Sequence, residues 1–158
     1  MYRIGFAKDI HRLVKGRPLI LGGVHIPFEL GEDAHSDGDV VYHALSEALL
    51  GSLALGDLGT FYPPSDDKYL NLDSSYFVKD CFNKIKNRGY SIVNIDISIN
   101  LEKPKLKSYL QNMKENISSL LEIDTDDISI KAMTNEKLDA VGKLEAVEAY
   151  CYLLIKKN

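Results

Sequence analysis

The sequence predicts an α+β fold in which helices cover one face of a mixed β-sheet, and three patterns predict it. Over residues 93–102 apolar and polar residues alternate strictly, the mark of a half-buried strand. Around residues 74–88 and 106–121 apolar residues instead recur three and four apart, the mark of a helix with one buried stripe. Near the end of the chain Val147, Ala149, Cys151, Leu153 and Ile155 alternate again. Strands and amphipathic helices in one chain bury their apolar faces against each other, which gives layers.

Each element follows in order. Residues 2–10 alternate loosely and read as a first strand. Residues 18–27 read as two short extended pieces bent at Gly22 and Gly23. The polar run 31–39 reads as a loop leading into a helix. Ser36-Asp37-Gly38-Asp39 signals that start, with acid near the positive end of the helix dipole. Val40, Ala44, Leu45, Ala48 and Leu49 then recur at helical spacing, and Gly51 and Gly56 are the expected stopping points. Residues 57–73 are polar and Pro-containing and read as one long loop, which in a compact domain is either functional or mobile. A helix over 74–88 buries Phe77, Cys81, Phe82 and Ile85 and is closed by Gly89. The strict strand comes next, then a helix with Leu106, Leu110, Met113, Ile117 and Leu121 on one stripe. Ile128, Ile130 and Ala132 suggest a short strand before the last one. No repeat, low-complexity tract or linker divides the chain, so a single domain over 1–158 is expected.

Composition narrows the function. With 158 residues, 45% hydrophobic and 27% charged, the chain is long enough for one core and unlike a disordered or collagen-like chain. Nineteen basic against 23 acidic residues give a net charge of −4. Without a basic excess, non-specific nucleic-acid binding is not expected as the main task. A phosphorylated small molecule can still be held by a few local cations. No apolar run approaches the roughly 20 residues of a membrane helix. The N-terminal residues lack a signal-peptide core and cleavage site, so a cytoplasmic (or already processed) protein is expected, the start at Met1 favouring a bacterial cytosol over a plastid. Cys81 and Cys151 match no metal spacing and read as reduced packing residues.

Several residue groups can carry chemistry. Asp9 and His11 are two apart on a predicted strand and so share a face, and His43 lies in the first turns of the following helix. Two histidines and one carboxylate are a ligand set for a catalytic zinc with one open position. Spacing alone favours the plainer alternative, an exposed strand end and an unrelated core histidine. His35 and Ser36 precede a helix start, where free N–H groups attract a phosphate, although an ordinary cap explains Ser36 as well. Asp39, one turn before His43, can orient that ligand's free nitrogen or simply begin the helix. Asp57, Gly59 and Asp66 can grip substrate hydroxyls or serve as turn residues. Pro104-Lys105, between strand and helix, can meet a phosphate or a base edge, although a surface lysine usually does nothing specific. Thr134 and Glu136 can serve phosphate and a hard cation, or start a turn. Phosphate-loop, dinucleotide and Gly-x-Ser-x-Gly motifs are absent from the sequence.

Taken together, these segments resemble 2-C-methyl-D-erythritol 2,4-cyclodiphosphate synthases of the non-mevalonate isoprenoid pathway. The resemblance rests on Asp9-Ile10-His11, Leu21-Gly22-Gly23-Val24, Ala34-His35-Ser36-Asp37-Gly38-Asp39-Val40 with His43-Ala44-Leu45, Leu55-Gly56-Asp57-Leu58-Gly59, Asp73-Ser74, Glu102-Lys103-Pro104-Lys105 and Lys131 to Lys137. It spans nearly the whole chain. It implies zinc at Asp9, His11 and His43, and transition-state stabilisation by His35 and Thr134. It further implies that Ser36, Asp57, Gly59 and Asp66 hold the methylerythritol phosphate. Residues 101–107 around Pro104 and Lys105, with Ala132, Met133 and Thr134, would form the cytidine diphosphate pocket. Glu136 would hold Mg2+ or Mn2+, and the family is a homotrimer with sheets around the three-fold axis and sites between neighbouring subunits. The implied reaction is intramolecular: a 2-phosphate attacks the β-phosphorus, CMP leaves and a cyclic diphosphate forms.

The chain also departs from the family. Ala7 stands where a glycine is frequent, Pro64 where an Asp is frequent, and Met133 where Thr is common. Near the C-terminus, where members often show Phe and Arg beside a trimer-axis cavity for isoprenoid diphosphates, this chain has Ala140 and Lys143. Ala140 cannot stack as Phe would, and Lys143 keeps the charge without the bidentate fork. Two rival readings stand beside the synthase: a zinc phosphohydrolase using the same three ligands, and a non-catalytic binder of isoprenoid diphosphates.

Overall fold

In the computed structural model, which describes residues 1–158 throughout, the chain runs β1 (Tyr2–Lys15), β2 (Leu19–Leu21), β3 (Val24–Ile26), β4 (Leu30–Asp33), α1 (Val40–Ser52), α2 (Leu58–Phe61), α3 (Ser75–Asn87), β5 (Tyr90–Asn100), α4 (Leu110–Leu121), β6 (Ile128–Met133), α5 (Asp139–Gly142) and β7 (Ala146–Lys157). The main sheet has the order β4-β1-β7-β5-β6, and β2 and β3 form a separate hairpin. Only β5 and β6 pair in parallel, through the crossover that contains α4, while the other pairs are antiparallel. The mixed α+β fold expected from the sequence is therefore the fold observed.

Strand β7 explains why the sheet holds. It lies between β1 and β5, and Val147, Ala149, Cys151, Leu153 and Ile155 on one face are all buried. In the register with β1, Asp9 stands opposite Ala149 and His11 opposite Val147, on that same face. Helix α1 packs over it, burying Val40, Val41, Ala44, Leu45, Ala48 and Leu49. The approach is close because Gly5 of β1 has no side chain. A Cβ there would sit 2.0 Å from the carbonyl oxygen of Ala48. This contact places His43 of α1 over the far end of β1, where Asp9 and His11 stand.

The boundaries differ from the expected ones where short elements escape periodicity. β1 continues to Lys15, and β4 occupies the start of the run read as a loop. Residue Glu32 misled that reading, because this charged side chain of β4 is fully buried. The long loop over 57–73 contains α2 and a 3-10 turn at Asp67–Tyr69, N-capped by Asp57 and Asp66. α4 begins at Leu110, after a 3-10 turn at Lys107–Tyr109. Cys81 and Cys151 are free and buried, as expected.

The face of the sheet away from α1 is apolar as well. Ile4, Phe6 and Ile10 of β1 and Tyr152 of β7 are exposed there, with the Phe6 and Tyr152 rings 4.7 Å apart. No helix is long and apolar enough to cross a membrane.

Candidate metal centre

Asp9 and His11 leave β1 on the α1 side, and His43 comes down from the first turns of α1. His11 Nε2 lies 3.1 Å from Asp9 Oδ2, His43 Nδ1 lies 3.4 Å from the same oxygen, and the two nitrogens are 3.3 Å apart. A tetrahedral zinc with bonds of about 2.0–2.1 Å has ligand–ligand edges of about 3.3 Å. The donor set and spacing therefore fit a metal without rearrangement, and one side of the triangle faces open space. Asp9, His11 and His43 are also the one group of three such ligands that the fold brings together.

The surroundings fix both imidazoles. His11 donates from Nδ1 to the Gly38 carbonyl at 2.7 Å, so Nε2 is the nitrogen turned to the cluster. His43 presents Nε2 to Ser36 Oγ at 3.0 Å and Ser74 Oγ at 2.9 Å, leaving Nδ1 for the cluster. Phe77 meets the His43 ring edge-on at 5.8 Å. The carboxylate of Asp39 does not touch the His43 ring, contrary to the orienting role the sequence allowed. It is fully buried and accepts from the backbone N–H groups of Gly22, Gly23 and Tyr42. Asp39 thus caps α1 and anchors the β2–β3 turn, which is the helix-start alternative.

Electrostatics follow from this packing. Burial opposes ionisation of Asp9, but the neighbouring imidazoles, His11 above all, outweigh it and hold the carboxyl well below its usual range. For His11, burial pulls the other way from hydrogen bonds with Asp9 and Glu32, and the bonds win, pushing its pKa up to about 10. Burial pushes Glu32 up to about 7.

The triad opens into a cleft of about 350 Å³ whose walls include His35, Ser36, Gly59 and Pro64. His35 Nε2 approaches the Asp66 carbonyl at 3.4 Å. Asp57 accepts from the Thr60 backbone and hydroxyl, and Asp66 accepts from Lys68 N–H while pairing with its ammonium. Both carboxylates therefore act as caps in this structure, with Gly59 between them on the cleft wall. Glu47, Tyr62, Tyr69 and Phe77 also line the cleft and went unnoticed in the sequence. Glu47 had a signal, since it lies four residues after His43 on the same helical face. Arg17 had none. Its guanidinium donates to the carbonyls of Glu32, Ala34 and Ser36 and so braces the loop that carries His35.

The remaining candidate residues form a second, separate concavity. It measures about 270 Å³ and is lined by Pro104, Lys105, Ala132, Met133 and Thr134 among others, sharing no residue with the first. Thr134 Oγ1 donates to Glu136 Oε1 at 3.5 Å. Residues 131–140 are almost wholly exposed. Glu136, Lys137, Asp139 and Leu144 all have φ between 54° and 62°, a left-handed conformation that non-glycine residues adopt at a cost. Such strain gathers at binding sites. Lys143, just beyond α5, is exposed.

Comparison with known proteins shows what the whole chain is similar to. The YgbB family model matches residues 2–156. The chain is 51% identical over 156 residues to the 2-C-methyl-D-erythritol 2,4-cyclodiphosphate synthase of a Synechocystis species, covering 99% of this chain and 97% of the relative. Against the synthase of Chloroherpeton thalassium it is 49% identical, covering 98% and 99%. Among solved structures, the bifunctional IspDF of Campylobacter jejuni superposes with a TM-score of 0.96 at 38% identity, over all of this chain and 43% of that longer one. The CDP complex of IspF from Plasmodium falciparum superposes with a TM-score of 0.87 at 35% identity, covering 99% and 97%.

Proposed function

Because this chain belongs to the YgbB family, we propose that it converts 4-diphosphocytidyl-2-C-methyl-D-erythritol 2-phosphate into 2-C-methyl-D-erythritol 2,4-cyclodiphosphate and CMP, a lyase step of isoprenoid precursor biosynthesis. The observation that carries this reading is the Asp9/His11/His43 triangle open to a cleft, within a chain that matches such synthases from end to end. One domain over residues 1–158 does the work, in the cytoplasm.

The reaction needs little from the protein in covalent terms. An oxygen of the 2-phosphate forms a bond to the β-phosphorus, and the bond from that phosphorus to the bridging oxygen breaks, releasing CMP. No water enters and no side chain is acylated or phosphorylated, so the absence of a serine or cysteine nucleophile is expected. Asp9, His11 and His43 would hold a zinc ion and Glu136 a Mg2+ or Mn2+ ion, which would supply a template and polarisation for the phosphate oxygens and offset charge on the leaving CMP. Glu136 is exposed and accepts from Thr134 Oγ1, and its carboxylate is an oxygen ligand of the kind a hard cation takes. His35 and Thr134 donate hydrogen bonds to the charge that develops during transfer. Ser36, Gly59 and the Asp57 and Asp66 caps shape the pocket for the methylerythritol phosphate. Lys105 and Pro104, with the backbone of Ala132 and Met133, receive the cytidine diphosphate. Holding two like-charged phosphates in contact is as large a part of catalysis as any donor.

The active unit is a homotrimer. The apolar side chains on the open sheet face support this, since Ile4, Phe6, Ile10 and Tyr152 are left to water in a single copy. So does the division of candidate residues between two concavities that share no residue. Lys143 would face the axis cavity, where an isoprenoid diphosphate could bind. Phosphorus NMR of the zinc- and magnesium-loaded protein with the substrate tests the reading. Coupled cyclic-diphosphate signals rising with CMP are expected, whereas free inorganic phosphate would identify a zinc phosphohydrolase instead. Prenyl-diphosphate binding without turnover would identify a binder.

A further inference from the structure

We propose that Asp37 and Ser74 are positioning residues that set which nitrogen of His43 carries the proton, and hence which one meets the metal. The proposal rests on the reading that Asp9, His11 and His43 hold a metal ion. Ser74 is fully buried, with its Oγ 2.9 Å from His43 Nε2 and 2.5 Å from Asp37 Oδ1. Asp37 accepts a backbone N–H on each oxygen, from Asp39 at 3.1 Å on Oδ1 and from Ser74 at 3.0 Å on Oδ2. A carboxylate so placed has no proton to give, so the Ser74 hydroxyl donates to it. That spends the only proton Ser74 has. Its oxygen can then meet His43 Nε2 only as an acceptor, so Nε2 carries the hydrogen and Nδ1 keeps its lone pair. Nδ1 is the atom 3.4 Å from Asp9 Oδ2 and 3.3 Å from His11 Nε2.

Two further facts point the same way. Ser74 occupies the N-cap position of α3, where a serine ordinarily accepts an N–H from the first turn, yet its hydroxyl makes no such bond. The hydroxyl has been diverted from its usual task. Ser36 Oγ, the other neighbour of His43 Nε2, accepts from the Gly38 N–H at 3.2 Å and lies 3.4 Å from Ser74 Oγ, so its own hydroxyl hydrogen has the Ser74 oxygen as a partner and Ser36 can meet His43 Nε2 as a second acceptor. His11 reaches the same end through a backbone carbonyl, whereas His43 depends on side chains contributed by two loops.

Zinc affinity, measured by competition with a chromogenic chelator, tests the proposal in the native protein, Ser74→Ala, Asp37→Asn and His43→Ala. Asn must turn its NH2 group toward one of the two backbone N–H donors, so it weakens the acceptor that fixes the Ser74 proton and loosens the preference between the tautomers. Both Ser74→Ala and Asp37→Asn should weaken zinc binding about 10- to 100-fold, with a smaller loss than His43→Ala. Long-range proton–nitrogen NMR of the native protein should show His43 protonated at Nε2, and Asp37→Asn should shift it toward the other tautomer. Affinities unchanged in both variants while His43→Ala loses zinc would overturn the positioning role alone. A native His43 protonated at Nδ1 would do the same, whether or not Ser74→Ala folds. A native protein that binds no zinc would overturn the metal reading itself.

Discussion

His43→Ala or Asp9→Ala removes one corner of the ligand triangle, and each should abolish turnover and lower the zinc content measured by elemental analysis. Thr134→Ala should behave differently, losing about 100-fold in turnover as one donor to developing charge is removed, with its zinc content intact. Loss of zinc in Thr134→Ala would show that the two roles are not separate. The pH dependence of the zinc-stripped protein follows from the same triangle. His11 binds its proton far more tightly folded, with a pKa of about 10, than unfolded. Its contribution to stability is whole below about pH 6.5 and is lost as pH rises through about 10. Asp9, held low, contributes above about pH 4 and loses that contribution as pH falls. Thermal unfolding of the stripped protein should therefore shift to lower temperature from pH 7 to 10, and His11→Gln should flatten that slope. An undiminished slope in the variant would contradict the assignment. A strand's period of two and a helix's first turn are local rules that make Asp9, His11 and His43 candidates, but spacing alone favours the plainer alternative, and it is the family resemblance that makes them a ligand set. The roles of Ser74 and Asp37 were not legible in the sequence, since their contact spans 37 residues and depends on the direction of one hydroxyl.

Strands and helices long enough to show a period were read at nearly their true positions, β5, β7 and α3 most clearly. Four-residue elements such as β4 and α2 carry no period and were read as loop. Buried Glu32 and the capping carboxylates Asp57 and Asp66 made those segments look like plain polar chain. The geometry that matters most for the site was equally hidden, because the crossing of α1 over β1 depends on one absent side chain. Gly5→Ala would place a Cβ 2.0 Å from the Ala48 carbonyl oxygen, so strand and helix must part. It should destabilise the protein by about 1–3 kcal/mol or more in chemical denaturation and weaken zinc binding by moving His43 off Asp9 and His11. Gly51→Ala provides the control. Its new Cβ would have only the Phe6 carbonyl oxygen at 3.8 Å, so stability should hold or rise by up to about 1 kcal/mol.

At the scale of the molecule, one chain presents two concavities that share no residue and an apolar sheet face with nothing over it. The sequence carried the family resemblance, and with it the expectation of three copies, but periodicity could not reveal which face a neighbour covers. Alternation assigns two sides to a strand and leaves open whether the second meets water or another subunit. In β1 it meets neither helix nor loop, as Ile4, Phe6 and Ile10 are exposed in sequence order. If a neighbour completes the site, the metal half and the nucleotide half of one working centre come from different copies. Two crippled chains can then repair each other. His43→Ala chains and Thr134→Ala chains, unfolded together, mixed in equal amounts and reassembled with zinc and magnesium, test this with phosphorus NMR of the cyclic diphosphate. Random mixing into trimers predicts about one quarter of native turnover, because each centre needs an intact metal half beside an intact nucleotide half. A mixture no more active than its separately reassembled parents, while native chains treated identically recover, would contradict a centre shared between copies.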